Sequence, residues 1–510
     1  MSRRRKSRLQ ASEGAASTDR ETAYKQIRTS LPPVPILGED QLETIHRASL
    51  KILGEIGIEF MGDQARTLFR EAGAEVDDAT GRVRIEEELV DRALASIPSR
   101  FTLTPRNPDN RLDLGGNAIC TTSVGGPPNV HDCIHGKRNG NYEDYCRLLK
   151  LVQVHDVVHA TGNQPAPPLE MPAFSRHLDC YLAAATLTDK CWLNTSIGED
   201  RARDGIEISR ISRGISLEEM QESPSCLTII SVNSPRRFDG EMSDGLITTA
   251  RLGQCCVVTP FTLMGAMTPT TLAGALSQQN AEALSGIVLT QIVRPGAPVV
   301  YGSYTSNVDM RTGAPAFGTP EYARAVLASG QLARKYGLPF RCSNSATANT
   351  VDAQAGWESE MSLWACFLSH TNLLYHAAGW MEGGLTASFE KFVLDAELLQ
   401  MMVEVVQPVG MDAEALAWEA ISEVPTGGQF FDHPHTLKRY RHAFYESTLA
   451  DWRNYEVWHS DGARTATERA TELWQQRLRE YQEPVLQPDR REEMEAYVAR
   501  RKEAIRQQLQ

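Results

Sequence analysis

Eight short apolar runs, each closed by a polar or glycine-rich break and each followed by a helix-like stretch, recur between Ala118 and Ala377 at intervals of about 30 to 45 residues. Such alternation predicts an α/β fold built on a parallel sheet. A doubly wound open sheet would show the same alternation, but eight units in succession favour closure into a (β/α)8 TIM barrel. The runs span residues 118–123, 157–162, 191–195, 226–232, 256–264, 298–304, 339–345 and 372–377. Most lack strict apolar/polar alternation, as expected of strands covered by side chains inside the ring and helices outside it. Helix-period segments lie between them at 142–152, 173–187, 270–293, 320–336 and 356–369, and Pro320, Glu321 and Gly337 suit the start and end of one.

The flanks suggest further parts. Residues 1–35 begin MSRRRKSRLQASEGAAS, basic and then small and polar with no apolar core behind. They read as a disordered basic tail rather than a secretory signal or an anchor. Residues 36–115 are expected to form an N-terminal α/β extension, with an apolar-periodic helix (Leu42, Ile45, Leu50, Leu53), a smaller helical unit around Leu68 and Ala72, and breaks at Gly73 and Gly81. The barrel is assigned to 116–407. Residues 408–510 are helix-rich, aromatic and charged, with Trp418, Tyr440, Tyr445, Trp452, Tyr455 and Trp458 interspersed. This segment is too long to stand without packing, so it is expected to pack on the barrel and contribute to a subunit or partner contact. A homo-oligomer is expected.

Charge and composition exclude several classes. A formal net charge of −13 and a pI near 5.5 argue against a nucleic-acid binder, which needs a basic face. No apolar stretch approaches the roughly 18 residues of a membrane span. The ten cysteines are scattered, mostly in apolar runs and with no CxxC, which reads as buried free thiols in a reducing cytoplasm. His131, Cys133 and His135, His155 and His159, and His433 and His435 lie close in sequence, yet none has the second half of a structural zinc site. They are read as loop and core residues, with no metal expected. No dinucleotide glycine motif, Walker A loop, GxSxG or HExxH occurs.

Several separated segments carry a resemblance: IHRASLKILGEIGIEF early in the chain, SVGGPPNVHD after the first run, GLPFRCSNSATANTVDAQAGWES and HAAGWMEGGLTASFEKFVLDAELL at the seventh and eighth, and GGQFFDHPHTLKRYRHAFYESTLADWRNYEVW near the C-terminus. From about Glu39 to Lys502 the chain resembles the trimethylamine methyltransferase family, in its non-pyrrolysine, quaternary-amine or glycine betaine branch. The resemblance implies a barrel enzyme that moves a methyl group from a methylated amine to the Co(I) of a corrinoid (cobalamin) carried by a separate corrinoid protein. No cobalamin-binding DxHxxG signature occurs, so no tightly bound cofactor of the chain's own is expected. Family pyrrolysine would fall near Thr347 to Val351, where this chain has only ordinary residues. That departure disfavours trimethylamine and favours a quaternary ammonium, which already carries the charge that lets the amine leave neutral.

A quaternary ammonium has no N–H to donate and is best held by aromatic faces, each worth roughly 0.5 to 2 kcal/mol. Candidates at the ends of runs are Tyr301, Tyr304, Trp380 and Phe389; Trp380 and Tyr304 sit beside small or polar residues where a pocket could open. Glu382 could compensate the cation or cap a helix. Gly383 and Gly384 could let the backbone approach a ligand, including the corrinoid, or begin the helix. His376 could hydrogen-bond substrate or corrinoid. Arg341 could pair with a substrate carboxylate through its planar fork, or neutralise Glu358 or Glu360. Asn194 and Asn233 close the third and fourth runs. No triad or acid/base pair stands out, consistent with a nucleophile that belongs to the cofactor. Two other readings stay open: a corrinoid-independent small-molecule enzyme on the same barrel, and an inactive betaine-binding protein.

Overall fold

In the computed structural model, which describes residues 26–509, the eight runs form eight parallel strands. They are β1 (Ala118–Ser123), β2 (Ala160–Thr161), β3 (Cys191–Asn194), β4 (Leu227–Val232), β5 (Cys255–Met264), β6 (Val299–Gly302), β7 (Phe340–Ser343) and β8 (Leu373–Ala378). Each pairs with its successor, and β8 pairs back onto β1 through Leu373↔Cys120 and Leu374↔Thr121. The ring is therefore closed, and the open-sheet alternative falls. A helix follows each strand: α1 (Tyr142–Val154), α2 (Arg176–Leu187), α3 (Glu199–Arg213), α4 (Gly240–Arg251), α5 (Leu272–Val293), α6 (Pro320–Lys335), α7 (Ala353–Leu368) and α8 (Phe389–Val405).

Both strand faces are buried, for different reasons. Cys120, Ala160, Cys191, Leu193, Leu227, Cys255, Val257, Val300, Leu373 and Tyr375 meet inside the ring in one cluster. The intervening residues, such as Ile230, Val258, Tyr301 and Leu374, join the larger core between strands and helices. The hairpin Phe101–Leu103 with Leu112–Leu114 contributes Leu103, Leu112 and Leu114 to the inner cluster, plugging the barrel at the N-terminal ends of its strands. The opposite end is left for loops.

Residues 1–25 of the basic segment lie outside the described residues. Its far end is a strand: Ile27–Arg28 pairs antiparallel with β1, and Ile27 is buried. Toward the C-terminus, α9 (Ala466–Glu480) lies on α8, and α10 (Pro488–Gln508) lies on α2 and α3 through Tyr497 and Arg501 on Asp204 and Lys502 on Asp179. No helix among the described residues is long and apolar enough to cross a membrane.

Helix α4 crosses the end of β3 so closely that a Cβ on Gly245 would collide with the carbonyl oxygen of Ser196. Because the obstacle is backbone, it cannot rotate away. Gly245→Ala should destabilise the protein by about 1–3 kcal/mol, read as a lower midpoint in urea unfolding. An unchanged midpoint would mean that α4 and the β3 loop can separate freely.

Candidate active site

The site is built where strand alternation fails. Along β8, Leu373 and Tyr375 face inward, so His376 should face the helices. Instead, the β1–β8 register slips between Leu374 and Ala378, and His376 adopts a left-handed φ of 55°. Its ring then packs at a tilt against Tyr375 (centroids 3.7 Å apart) and Trp380 (3.9 Å), so three rings crowd the mouth at the end of β8. The turn beyond is pinned: Gly379 N–H donates to Asp395 Oδ2 at 2.9 Å, while Asp395 Oδ1 pairs with Lys391 Nζ at 2.5 Å and Ser359 Oγ accepts from the same ammonium at 2.6 Å. Lys391 and Asp395 are both buried on α8.

A small second sheet then carries Trp380 across the mouth. Trp380–Met381 pairs with Thr386–Ser388, that strand with Asn129–Asp132, and the last with Gly136–Asn139. The two segments SVGGPPNVHD and GWMEGG thus come together. Two backbone bonds tie the same turn to the loop after β7: Glu382 N–H to Ala348 O and Gly383 N–H to Ala346 O, both 3.0 Å. Glu358 holds that loop from behind, accepting Thr347 and Ala348 N–H at 2.7 and 2.9 Å.

Against this wall stands a second aromatic group. Tyr304 opens the short strand that continues beside the end of β5, in register with Phe261. Its ring lies 5.2 Å from Phe261, 5.2 Å from Phe317 and 6.3 Å from Trp380, edge-on to the last. Between the two groups lies Arg341 of β7, its guanidinium carbon 5.5 Å from the Tyr304 ring centre and 4.9 Å from that of Tyr375. Arg341 is only 3% exposed. Among the described residues it has no carboxylate within ion-pair distance, and its Nε has no hydrogen-bond partner; Nη1 reaches only the Ser303 carbonyl, at 3.4 Å. Glu358 and Glu360, the alternative partners, are turned to the loop and to Trp364. Trp380 Nε1 is also buried without a partner. Burial, with Arg341 nearby, holds His376 well below the usual imidazole range, and its Nδ1 accepts from Gly125 N–H at 3.2 Å. The ring is neutral, with its proton on Nε2.

The mouth is open along β4. Leu227, Ile229 and Ser231 share the inner face by alternation; Leu227 is buried in the inner cluster, Ile229 is partly exposed and Ser231 is exposed.

Of the sequence candidates, Tyr304, Arg341, His376 and Trp380 therefore come together. Others are corrected by the structure. Tyr301 points outward, its hydroxyl bonded to Asn280 and Gln279 of α5. Phe389 packs on Trp474 of α9 at 5.0 Å. Asn194 faces α3, its Oδ1 accepting from Trp192 and abutting Gly205. Asn233 is exposed and accepts from Asp239 N–H at the start of α4. Glu382 is neutralised by Lys137 at 2.6 Å; burial pushes its pKa up, but the hydrogen bonds of Lys137 and Thr386 outweigh it and hold the carboxyl below the usual range. Gly383 and Gly384 form the turn itself, and Gly384 lies flat on the Trp380 ring, where a Cβ would collide. They shape the aromatic wall. Tyr375, Phe261, Phe317 and the Lys391–Asp395 pair were not singled out from sequence. Of the histidine groups, His135 bonds Asp132, His155 the Leu151 carbonyl and His433 Glu423; no three metal-ligating side chains gather among the described residues.

A closed barrel whose open mouth gathers aromatic faces around one buried cation has the architecture of a TIM-barrel enzyme. Comparison with known proteins narrows this. The profile of the family described as trimethylamine methyltransferase (MTTB) matches residues 2–506. The glycine betaine methyltransferase of Desulfitobacterium hafniense (strain Y51) is 36% identical over 472 residues, covering 92% of this chain and 98% of that protein. Trimethylamine methyltransferase MttB2 of Methanosarcina mazei is 30% identical over 483 residues, covering 92% and 95%. Among solved structures, the hydroxylamine MtmB complex aligns with a TM-score of 0.45 at 10% identity, covering 92% of this chain and 100% of that one. The chain belongs to the trimethylamine methyltransferase family and is a methyltransferase.

Removing Asp395 frees the Gly379 turn and leaves Lys391 as a buried charge without its ion. Asp395→Ala should cost about 3–5 kcal/mol of stability, measured by thermal or urea unfolding; a loss under about 1 kcal/mol would show that the pair does not hold the turn. Buried His376 and half-buried His155 set a pH dependence. Folded His376 and His155 resist protonation, His155 down to about pH 4, whereas the unfolded chain takes up protons near 6.5. Stability should therefore fall as pH drops below about 6.5, and His155→Gln should flatten that limb. Urea midpoints between pH 7.5 and 4.5 check this; identical pH profiles for the two proteins would contradict it.

Proposed function

We propose that this chain takes a methyl group from a betaine, a quaternary ammonium that also carries a carboxylate, and delivers it to the Co(I) of a corrinoid held by a separate protein. The carrying observation is Arg341, a buried guanidinium with no anion beside it, set next to an aromatic wall. A lone buried cation is costly unless something pairs with it. Arg341 lies 5.5 Å from the Tyr304 ring centre, and Trp380 lies 6.3 Å on from Tyr304. That spacing suits a zwitterion whose carboxylate meets the guanidinium while its ammonium rests against Trp380 and Tyr304.

The remaining charges agree. His376 is neutral and so does not repel an ammonium stacked beside Trp380. Glu382 is committed to Lys137, leaving no free carboxylate in the turn to compete with Arg341. A cation without a carboxylate would meet Arg341 as an uncompensated like charge, so the site selects against it. No acid is required, because the tertiary amine departs already neutral. The corrinoid, when docked, supplies the nucleophile. The residues present suit an acceptor arriving from outside: the open β4 wall gives access to the ammonium, Arg341 holds the carboxylate end, and the pinned Trp380 turn and the Glu358-held loop keep the aromatic wall in place behind the N-methyl groups. The ordinary residues at Thr347 to Val351 and the likeness to a glycine betaine methyltransferase support the same reading.

The test mixes the protein with chemically reduced cobalamin and glycine betaine, proline betaine, carnitine, choline or trimethylamine, following methyl-cobalamin by absorbance. Transfer is expected from a carboxylate-bearing donor and not from choline or trimethylamine; equal use of choline would refute the carboxylate reading. Arg341→Met should raise KM for the betaine about 10- to 100-fold, the loss of a charge-assisted pair, while choline binding should tighten as the like charge is removed. Trp380→Ala should weaken betaine binding by about 1 kcal/mol or more, seen by calorimetry; unchanged affinity removes Trp380 from the cage.

A further inference from the structure

The segment between α8 and α9 has almost no core of its own. From residue 408 to 460, only Ala420 and Leu449 are buried. Yet the segment is organised: Asp412 accepts from Ala415 N–H, Asn454 from Val457 N–H and His433 from His435 N–H, each starting a short helix. Its rings face outward, with Trp418 76%, Phe431 81% and Phe444 83% exposed, and Trp452 and Tyr455 likewise uncovered. At about 150–250 Å² per ring, these five alone leave on the order of 600–900 Å² uncovered. Summed over the five, that is of the same order as the roughly 800 Å² each partner contributes to a stable interface.

The surface from which the segment departs is apolar as well. On α8, Leu394, Leu398, Met401 and Val405 recur at helical spacing on the outer side, and Trp357 and Met361 of α7 extend the stripe. A cavity of about 650 Å³ opens there, lined by Trp357, Leu394 and Leu398 with small residues such as Gly356 and Ala466. The stripe has the chemistry to receive aromatic side chains, and it leads directly into the segment itself.

We propose that residues 408–460, anchored to their own α8 where the Tyr445 hydroxyl and the Thr448 hydroxyl donate to Glu397, form an arm whose outward rings cover the α7–α8 stripe of a second copy of this chain. The occupant follows from permanence. A segment lacking a core needs continuous cover, and a methyl-accepting partner that docks and leaves with every turnover cannot supply it. A second copy can, and it brings both complementary surfaces, arm and stripe, so the contact is satisfied in each direction. The inference is independent of which amine the enzyme uses.

Two measurements on the full chain test it. Light scattering on a sizing column should give an oligomer of the 56.5 kDa chain; Trp418→Glu with Phe431→Glu in the arm, or Trp357→Glu in the stripe, should each convert it to monomer with unchanged far-UV circular dichroism. A photo-crosslinking phenylalanine analogue at position 431 should join two copies, with the captured peptide from α7 or α8. A monomeric native chain, an oligomer indifferent to the arm substitutions, or a crosslink made within one copy or only to an added corrinoid protein would overturn the proposal.

Discussion

The mouth of this barrel depends on one hydrogen bond, from the Gly379 N–H to the Asp395 carboxylate. Strand geometry alone would send Tyr375 and His376 to opposite faces, and a non-glycine residue in the left-handed region costs about 1 kcal/mol or more unless its surroundings hold it there. Asp395 supplies the hold at 2.9 Å, with Lys391 balancing its charge. Because both residues sit one turn apart on α8, the most buried helix–strand contact of the eighth unit fixes the geometry of the substrate-facing end. The small sheet that follows would have no fixed starting point without that anchor, and Trp380 is its first residue.

The strand rhythm was legible because closure buries both strand faces, so each run stands out as apolar against its loops. Strand limits were less legible: the second run reads as 157–162, but only Ala160–Thr161 forms strand, since His155 to Val158 makes a turn. The site was legible in part for a sharper reason. Tyr301 and Tyr304 are three residues apart and sequence cannot say which one faces inward; the inner parity, fixed by Val300 and Gly302, selects Tyr304. Asn194 fails by the same parity, sharing a face with Trp192. Tyr375 follows Leu373 inward and was findable by that rule, whereas His376 is reached only through a bulge that no alternation predicts. Phe317 comes from a loop with no strand signal. Lys391 and Asp395 read in sequence as an ordinary i, i+4 surface pair, and only burial reveals their role.

Arg341 raises the question of what keeps a guanidinium inside a protein without an anion. Its carbon lies over two tyrosine faces, which repays part of the desolvation, but its Nε remains without a partner. Replacing it with an apolar side chain of similar size would remove that cost, so folding stability gives no reason for its presence. Function does. On the proposed betaine reading, stability withheld at such a position is recovered when a carboxylate arrives, and the same guanidinium repels cations that bring none. Affinity and discrimination thus come from one uncompensated charge.

The outer surface shows the complementary case, in which apolar groups rather than a charge lack a partner. Phe431 is 81% and Phe444 83% exposed. A sequence that places helix caps at Asp412 and Asn454 specifies structure there, so the rings are presented, not left over. Polar cover inside the chain would have served if the segment acted alone. That the segment keeps aromatic rings instead, beside a stripe of leucine and methionine, fits the proposed association of two copies, which would in turn brace α8, the helix on which the Gly379 anchor stands.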